Sequence, residues 1–185
     1  MSRENSIVYA VEDLVYGVNG KRILSGVDFS VNAGEFVSVI GPNGAGKSTL
    51  LRLLVRTIKP RSGKILLFGR ELSGYRQRDI ALKVGYVPQS SPDYVPFTAL
   101  QFVLMGRYPA SNPLVRPGAE DAKAAMEILD KVGLADFAQR RVDTLSGGER
   151  QKVFIAAALA QTPEALLLDE PTTFLDPKHQ ADIRE

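Results

Sequence analysis

Residues 41–48 constrain the fold more than any other stretch of the chain. They read Gly41-Pro42-Asn43-Gly44-Ala45-Gly46-Lys47-Ser48, followed by Thr49, between an apolar segment at 35–40 and an amphipathic one at 47–57. Three glycines in eight residues allow backbone conformations that a Cβ disfavours. Successive N–H groups can then turn inward and form a concave nest for an anion. A helix starting at Lys47 would point its positive end at the same anion. The spacing G-x-x-x-x-G-K-S/T, in strand–loop–helix order, is that of a phosphate loop. In that arrangement Lys47 reaches the β- and γ-phosphates of a nucleotide. The Ser48 hydroxyl ligates Mg²⁺, and Thr49 bonds the α-phosphate.

Two further elements suit the same chemistry. Ala165-Leu166-Leu167-Leu168 is fully apolar and ends in Asp169-Glu170-Pro171. It reads as a strand buried on both faces. Carboxylates at the C-terminal end of such a strand lie on the edge where α/β folds bind ligands. Asp169 would then hold the Mg²⁺ shell, and Glu170 would orient and polarise an attacking water. Leu145-Ser146-Gly147-Gly148-Glu149 precedes an Ala-rich helical run. Ser146 and Glu149 have capping-box spacing, which makes Ser146 the N-cap. The two glycines leave the backbone N–H groups approachable by a phosphate oxygen. One nucleotide does not need two such loops from one chain. The second loop is therefore expected to close on a nucleotide held by another subunit.

Composition excludes the main competitors. There is no cysteine, which removes disulfide frameworks, thiolate metal sites and cysteine nucleophiles. The single histidine, His179, rules out a His-rich metal site. Lys+Arg is 23 against Asp+Glu 21, a balance unsuited to coating nucleic acid. The basic residues Arg52, Arg56, Lys59, Arg61 and Lys64 read as a solvated helix face and turn. No apolar run approaches the roughly 20 residues of a membrane span, and Met1 to Asn5 lead into no signal-type apolar segment. A soluble, cytoplasmic chain is the expectation.

Apolar patterning predicts strands at 7–11, 29–31, 35–40, 64–68, 84–87 and 165–168. Helices are predicted at 47–57, 99–105, 119–132 and 148–161, with a last one from about 177. Turn signals lie at 59–63, 91–93 and 111–113.

With these elements in order, the sequence resembles the nucleotide-binding subunit of an ATP-binding cassette (ABC) transporter. The resemblance rests on GPNGAGKS, Val87-Pro88-Gln89, LSGGERQ and LLLDEPTTFLD, and covers nearly the whole chain. LSGGE is the most specific, because other phosphate-loop ATPases lack it. The resemblance implies one ATP-binding domain over 1–185 with the α/β P-loop NTPase fold. That fold has a mixed core sheet, an N-terminal antiparallel β-subdomain and a helical lobe at about 90–160. ATP and Mg²⁺ are the implied cofactors, with Ser48, Gln89 and Asp169 at the metal. Lys47, Gln89 and Glu170 are the implied catalytic residues. Tyr16 would stack on adenine, and Gly41, Pro42, Asn43, Gly44, Ala45, Gly46, Lys47, Ser48 and Thr49 would hold the phosphates. Gln89 would touch Mg²⁺ and water and sense the membrane domain. Ser146, Gly147 and Gly148 would meet the γ-phosphate in trans, in a head-to-tail homodimer with two ATP molecules. Glu149 belongs to that nucleotide-contacting loop, and Asp176 would be the acid that crosses the interface.

The implied function is ATP hydrolysis at the cytoplasmic face of a membrane, coupled to import through permease subunits. A periplasmic or surface solute-binding protein would be an indirect partner. The stretches at 103–109 and 175–180 resemble importers of iron–siderophore, haem and cobalamin chelates. Zinc and manganese importers are similar in the first stretch, and a soluble ABC ATPase of an assembly or repair system is the other alternative. Tyr94, Phe97, Phe102 and Tyr108 fall where the family's helical lobe receives the transporter's coupling helix.

One departure matters. The family's switch histidine follows a further strand, and His179 lies within the last predicted helix instead. An incomplete, C-terminally truncated cassette is therefore expected, one that binds nucleotide but hydrolyses it weakly or not at all. In the family fold the missing strand separates the phosphate-loop strand from the Asp169 strand. Both would lose their shared neighbour and leave N–H and C=O groups unpaired.

Overall fold

Asn19-Gly20 turns the first hairpin. Both residues have positive φ, 50° and 78°, the conformation that matches a two-residue loop to the twist of its flanking strands. The hairpin joins β1 (Ile7–Val18) to β2 (Lys21–Asn32). The protein is described here from a computed structural model, over residues 6–89, 94–107 and 118–170. These divide into two compact units, one up to Ile80 and one from Ala81.

In the first unit β1 is central. β3 (Ser62–Leu67) pairs along its other side and β4 (Arg70–Glu71) follows, giving an antiparallel sheet in the order β2-β1-β3-β4. Tyr9, Val11, Leu14, Ile65 and Leu67 are buried in this unit, with Leu50, Leu53 and Leu54 of α1 (Lys47–Leu54). The Tyr9 hydroxyl donates to the Leu54 carbonyl at 3.1 Å. Burial raises the pKa of that phenol well above its usual range. A short helix, α2 (Gln77–Lys83), closes the unit and leads into the next.

The second unit holds a parallel pair, β5 (Val84–Val87) and β6 (Ala165–Leu168), in register from Val84↔Ala165 to Val87↔Leu168. Between them come α3 (Ala99–Gly106), α4 (Ala119–Lys131) and α5 (Gly147–Ala160). Their core includes Ala99, Val103, Ala125, Leu129, Val142, Val153 and Ala156, each essentially without solvent exposure. Thr98 caps α3 through a reciprocal box with Gln101. Arg107 at the end of α3 pairs with Asp121 in the first turn of α4, 2.6 Å apart.

Several expectations need correction. No strand forms at 35–40. Phe36 and Ile40 are 84% and 91% exposed, and Val37 and Val39 are about half exposed. A strand exists only against a partner, and no described strand lies alongside this segment. β6 is half-buried rather than buried on both faces, because β5 is its one partner among the described residues. The helix predicted at 47–57 stops at Leu54. Arg56 turns left-handed at φ 55°, and its guanidinium donates to the Ser73 carbonyl at 2.9 Å. β1 and β2 run much longer than the 7–11 and 29–31 read from the sequence. The turn signals at 91–93 and 111–113 and the helix from about 177 lie outside the described residues. Among the described residues no helix is long and apolar enough to cross a membrane.

Candidate functional site

In the first unit the phosphate loop follows the unpaired segment and runs directly into α1. Gly44 and Gly46 have φ of 83° and 96°, the left-handed region where an L side chain is strained. Gly46 is constrained twice. A Cβ there would sit 2.9 Å from Leu24 Cδ2 and 3.1 Å from Ile23 Cγ2. Gly41 needs no positive φ; its added carbon would meet Ala45 Cβ at 3.3 Å. Two of the three glycines therefore serve the turn itself, and the third serves the closeness of its walls. Gly46 is also the N-cap of α1, and no side chain caps that helix. The N–H groups of Lys47, Ser48 and Thr49 open the helix, where its dipole favours an anion. The Lys47 ammonium lies across the loop, donating to the Gly41 carbonyl at 3.0 Å and the Pro42 carbonyl at 3.3 Å. Pro42, Asn43 and Ala45 are exposed along the same loop.

Tyr16, near the end of β1, is half-buried on the wall of an open cavity of about 640 Å³. Asp13, Arg22, Ser25, Arg61 and Ser62 share that wall. Arg22 and Arg61, which line the same cavity as Tyr16, did not stand out in the sequence, where Arg61 read only as part of a basic turn.

In the second unit the β5–β6 ladder sets the geometry. After the Val87↔Leu168 pair, the Asp169 N–H donates to the Val87 carbonyl at 2.9 Å. The strands therefore stay together one residue longer. The next positions, Gln89 and Glu170, come side by side, and Gln89 Nε2 donates to Glu170 Oε2 at 2.5 Å. Asp169 between them is 4% exposed. Glu170 holds φ 48°, which a residue with a Cβ rarely adopts. Gln89 and Glu170 lie far apart in sequence, and only the parallel register brings them together. Among the described residues no three carboxylates or histidines converge on a metal. A divalent ion using these residues would share its shell with phosphate oxygens and water, as Mg²⁺ ordinarily does.

The second glycine loop opens α5 as expected. Ser146 is the N-cap, and its hydroxyl accepts from the Glu149 N–H at 3.3 Å. Glu149 Oε2 in turn accepts from the Ser146 hydroxyl at 2.7 Å and the Ser146 N–H at 2.8 Å. The box leaves Gly147 and Gly148 as the first two residues of the helix, bare of side chains. These hydrogen bonds, the Ser146 hydroxyl first, hold the Glu149 carboxyl below its usual range. A carboxyl depressed in the folded chain contributes stability above its unfolded pKa of about 4.3 and loses it as pH falls through the folded value. The Tm of the native chain should accordingly fall more steeply below about pH 5 than that of Glu149→Gln. The amide still accepts at the box but does not titrate. Parallel Tm–pH slopes for the two proteins would show that the carboxylate contributes nothing.

Gln151 was not anticipated. It lies one turn below Gly147 and is 2% exposed, with neither amide atom hydrogen-bonded. Asp176 and His179 lie outside the described residues. Of the aromatics expected in the helical lobe, Phe102 packs against Phe154 with ring centres 4.6 Å apart. Tyr94 is 70% exposed and Phe97 half-exposed, and Tyr108 lies outside the described residues.

Comparison with known proteins adds four findings. The family profile described as "ABC transporter" matches residues 24–173. A "Probable siderophore transport system ATP-binding protein", YusV of Bacillus subtilis (strain 168), is 41% identical over 174 residues, 94% of this chain and 63% of that protein. The ferric enterobactin transport ATP-binding protein FepC of Escherichia coli (strain K12) is 38% identical over 174 residues, 94% of this chain and 64% of its own. The chain thus spans less than two thirds of the length of either relative. The crystal structure of the ATP-binding cassette MJ1267 in its ADP conformation superposes with a TM-score of 0.82 at 27% identity, covering 96% of this chain and 74% of that one.

Proposed function

We propose, since the chain belongs to the ABC transporter family, that it is the ATP-binding and ATP-hydrolysing part of an importer. The observation that carries the reading is the side-by-side placement of Gln89 and Glu170 just beyond the β5–β6 ladder, with the buried Asp169 before them. An amide and a carboxylate held together at that edge can orient one water molecule and accept its proton. The phosphate loop supplies the complementary half of the chemistry.

In this reading Gly41 to Thr49 cradle the phosphates, with Lys47 exchanging its loop carbonyls for the β- and γ-phosphate oxygens. That exchange suits the geometry, because the ammonium already lies across the loop mouth. Ser48, Gln89 and Asp169 would hold Mg²⁺, and the loop's uncapped helix start and the buried Asp169 fit such a group. When bound, Mg²⁺ offsets the phosphate charge that otherwise repels a nucleophile. Glu170 orients the attacking water and takes up its proton, while Gln89 fixes the carboxylate. Tyr16 stacks on adenine. Ser146, Gly147, Gly148 and Glu149 close on the γ-phosphate of a second copy, and Asp176 reaches across the same interface.

The partners in this reading are a second ATP-binding subunit and the permease subunits, with a solute-binding protein acting indirectly. The chain would sit at the cytoplasmic face of the membrane, with the helical lobe at about 90–160 meeting the permease. The exposed Tyr94 and Phe97 suit that contact. The cargo in this reading is of the iron–siderophore, haem or cobalamin-chelate class, and the names of YusV and FepC support its iron–siderophore member.

The test is co-purification of the tagged chain with membrane proteins, joined to ATP binding by a fluorescent analogue. A polytopic permease should co-purify, and Lys47→Ala should weaken nucleotide binding by about 10²-fold or more. Recovery of soluble partners alone, or equal binding by Lys47→Ala, would overturn the reading.

A further inference from the structure

The most anomalous polar group among the described residues is the side chain of Gln151. It is 2% exposed, and both its Nε2 and its Oε1 are buried without a hydrogen bond. Buried amides are nearly always satisfied, because leaving one unsatisfied forfeits its hydration. Leucine or methionine would fill the same space in an Ala-rich helix without that cost. The neighbouring residues do follow the apolar rule. Val153, Ala156 and Ala160 on the same helix are buried in the core.

The position of Gln151 explains the exception. Side chains on a helix lean toward its N-terminus and cover the preceding turn. One turn before Gln151 stands Gly147, the first residue of α5, which has no side chain of its own. Ser146 and Glu149 are occupied with each other in the capping box. They therefore brace the loop but are already committed. The Nε of Arg150, the adjacent residue, is likewise buried and unpartnered. The first turn of α5 thus combines a helix N-terminus, two bare glycines and unspent hydrogen-bonding capacity directly beneath them.

We propose that Gln151 is a positioning residue for the Ser146–Gly148 loop. Its amide hydrogen-bonds to the backbone of that loop when the loop takes up a nucleotide phosphate, and so holds the Gly147 and Gly148 N–H groups toward it. The proposal rests on the reading that this loop meets a phosphate in trans. It makes the free chain the less satisfied state. Phosphate binding gains hydrogen bonds at Gln151 that the free chain lacks, and affinity at the loop depends on a residue that does not touch the nucleotide.

The test pairs two measurements on Gln151→Met, which keeps the length and approximate volume but removes the amide. Without nucleotide its Tm should rise by roughly 2–6 °C, because an unsatisfied buried group has been deleted. The ATP concentration that half-maximally drives association of two copies, read by light scattering, should rise by about tenfold. A purely structural glutamine moves Tm the other way. A fall in Tm therefore overturns the proposal, whatever happens to association. So does a raised Tm with unchanged ATP dependence. Gly148→Asp, which places a carboxylate at the bare turn, separates this failure from failure of the underlying reading. If Gly148→Asp abolishes an association that Gln151→Met leaves intact, Gln151 alone is wrongly assigned. If the native chain shows no ATP-driven association, the reading of the loop falls and the proposal falls with it.

Discussion

Glu170→Gln is expected to slow ATP hydrolysis by about 10²–10⁴-fold, the contribution of a positioned general base. In barrier terms this is about 3–5 kcal/mol. The substitution is informative because it changes so little else. An amide has the carboxylate's size and retains an oxygen to accept from Gln89 Nε2, so the pairing at the end of the ladder survives. The left-handed backbone at this position, φ 48°, asks nothing of the side-chain charge. What disappears is the ability to accept a proton from water. Nucleotide affinity should stay within about threefold, since the phosphate loop is untouched. Single-turnover hydrolysis of bound ATP, measured beside equilibrium binding, separates the two quantities. Equal and measurable turnover in the native and substituted chains would remove Glu170 from the chemistry.

Gly106→Ala should destabilise the second unit by about 3 kcal/mol, the upper end of the usual overpacking range. The added methyl would lie 2.0 Å from the Ala157 carbonyl oxygen and 2.9 Å from its carbon. Backbone cannot rotate aside as a long side chain can, so α3 and α5 would have to separate. The Ala99, Val103, Val153 and Ala156 core that their approach closes would then loosen. For a chain of this size the Tm should drop by about 6–12 °C. Gly74→Ala is the control. Its added carbon meets only the Arg70 guanidinium, at 3.5 Å, and Tm should move by no more than about 2 °C. Equal Tm values for the Gly106 and Gly74 variants would mean that the helices already stand further apart.

Elements governed by neighbouring residues were legible in the sequence. The capping box at Ser146 and Glu149, the helix start at Lys47 and both strands of the parallel pair follow from local spacing and periodicity, and the structure has them at or within a residue of the expected places. The hairpin strands were underestimated because β-bulges interrupt their alternation between Val11 and Gly17. The segment at 35–40 was misread for the opposite reason. Its composition is that of a strand, but strand formation belongs to a pair of segments, and no described strand accompanies it. Gly106 and Gln151 carried no local signature that distinguishes a close helix crossing or an unsatisfied amide from ordinary helix content.

By itself, the sequence determined the chemistry available: a left-handed glycine loop ending in a lysine and a helix start, an acid pair ending an apolar strand, and a capped second loop. These are short-range consequences of φ freedom, hydrogen bonding and charge. Only the tertiary structure decided which of these groups meet. Gln89 reaches Glu170 because a parallel ladder in register carries two distant segments to the same depth. Register is a property of pairing between strands, and no spacing within either strand encodes it.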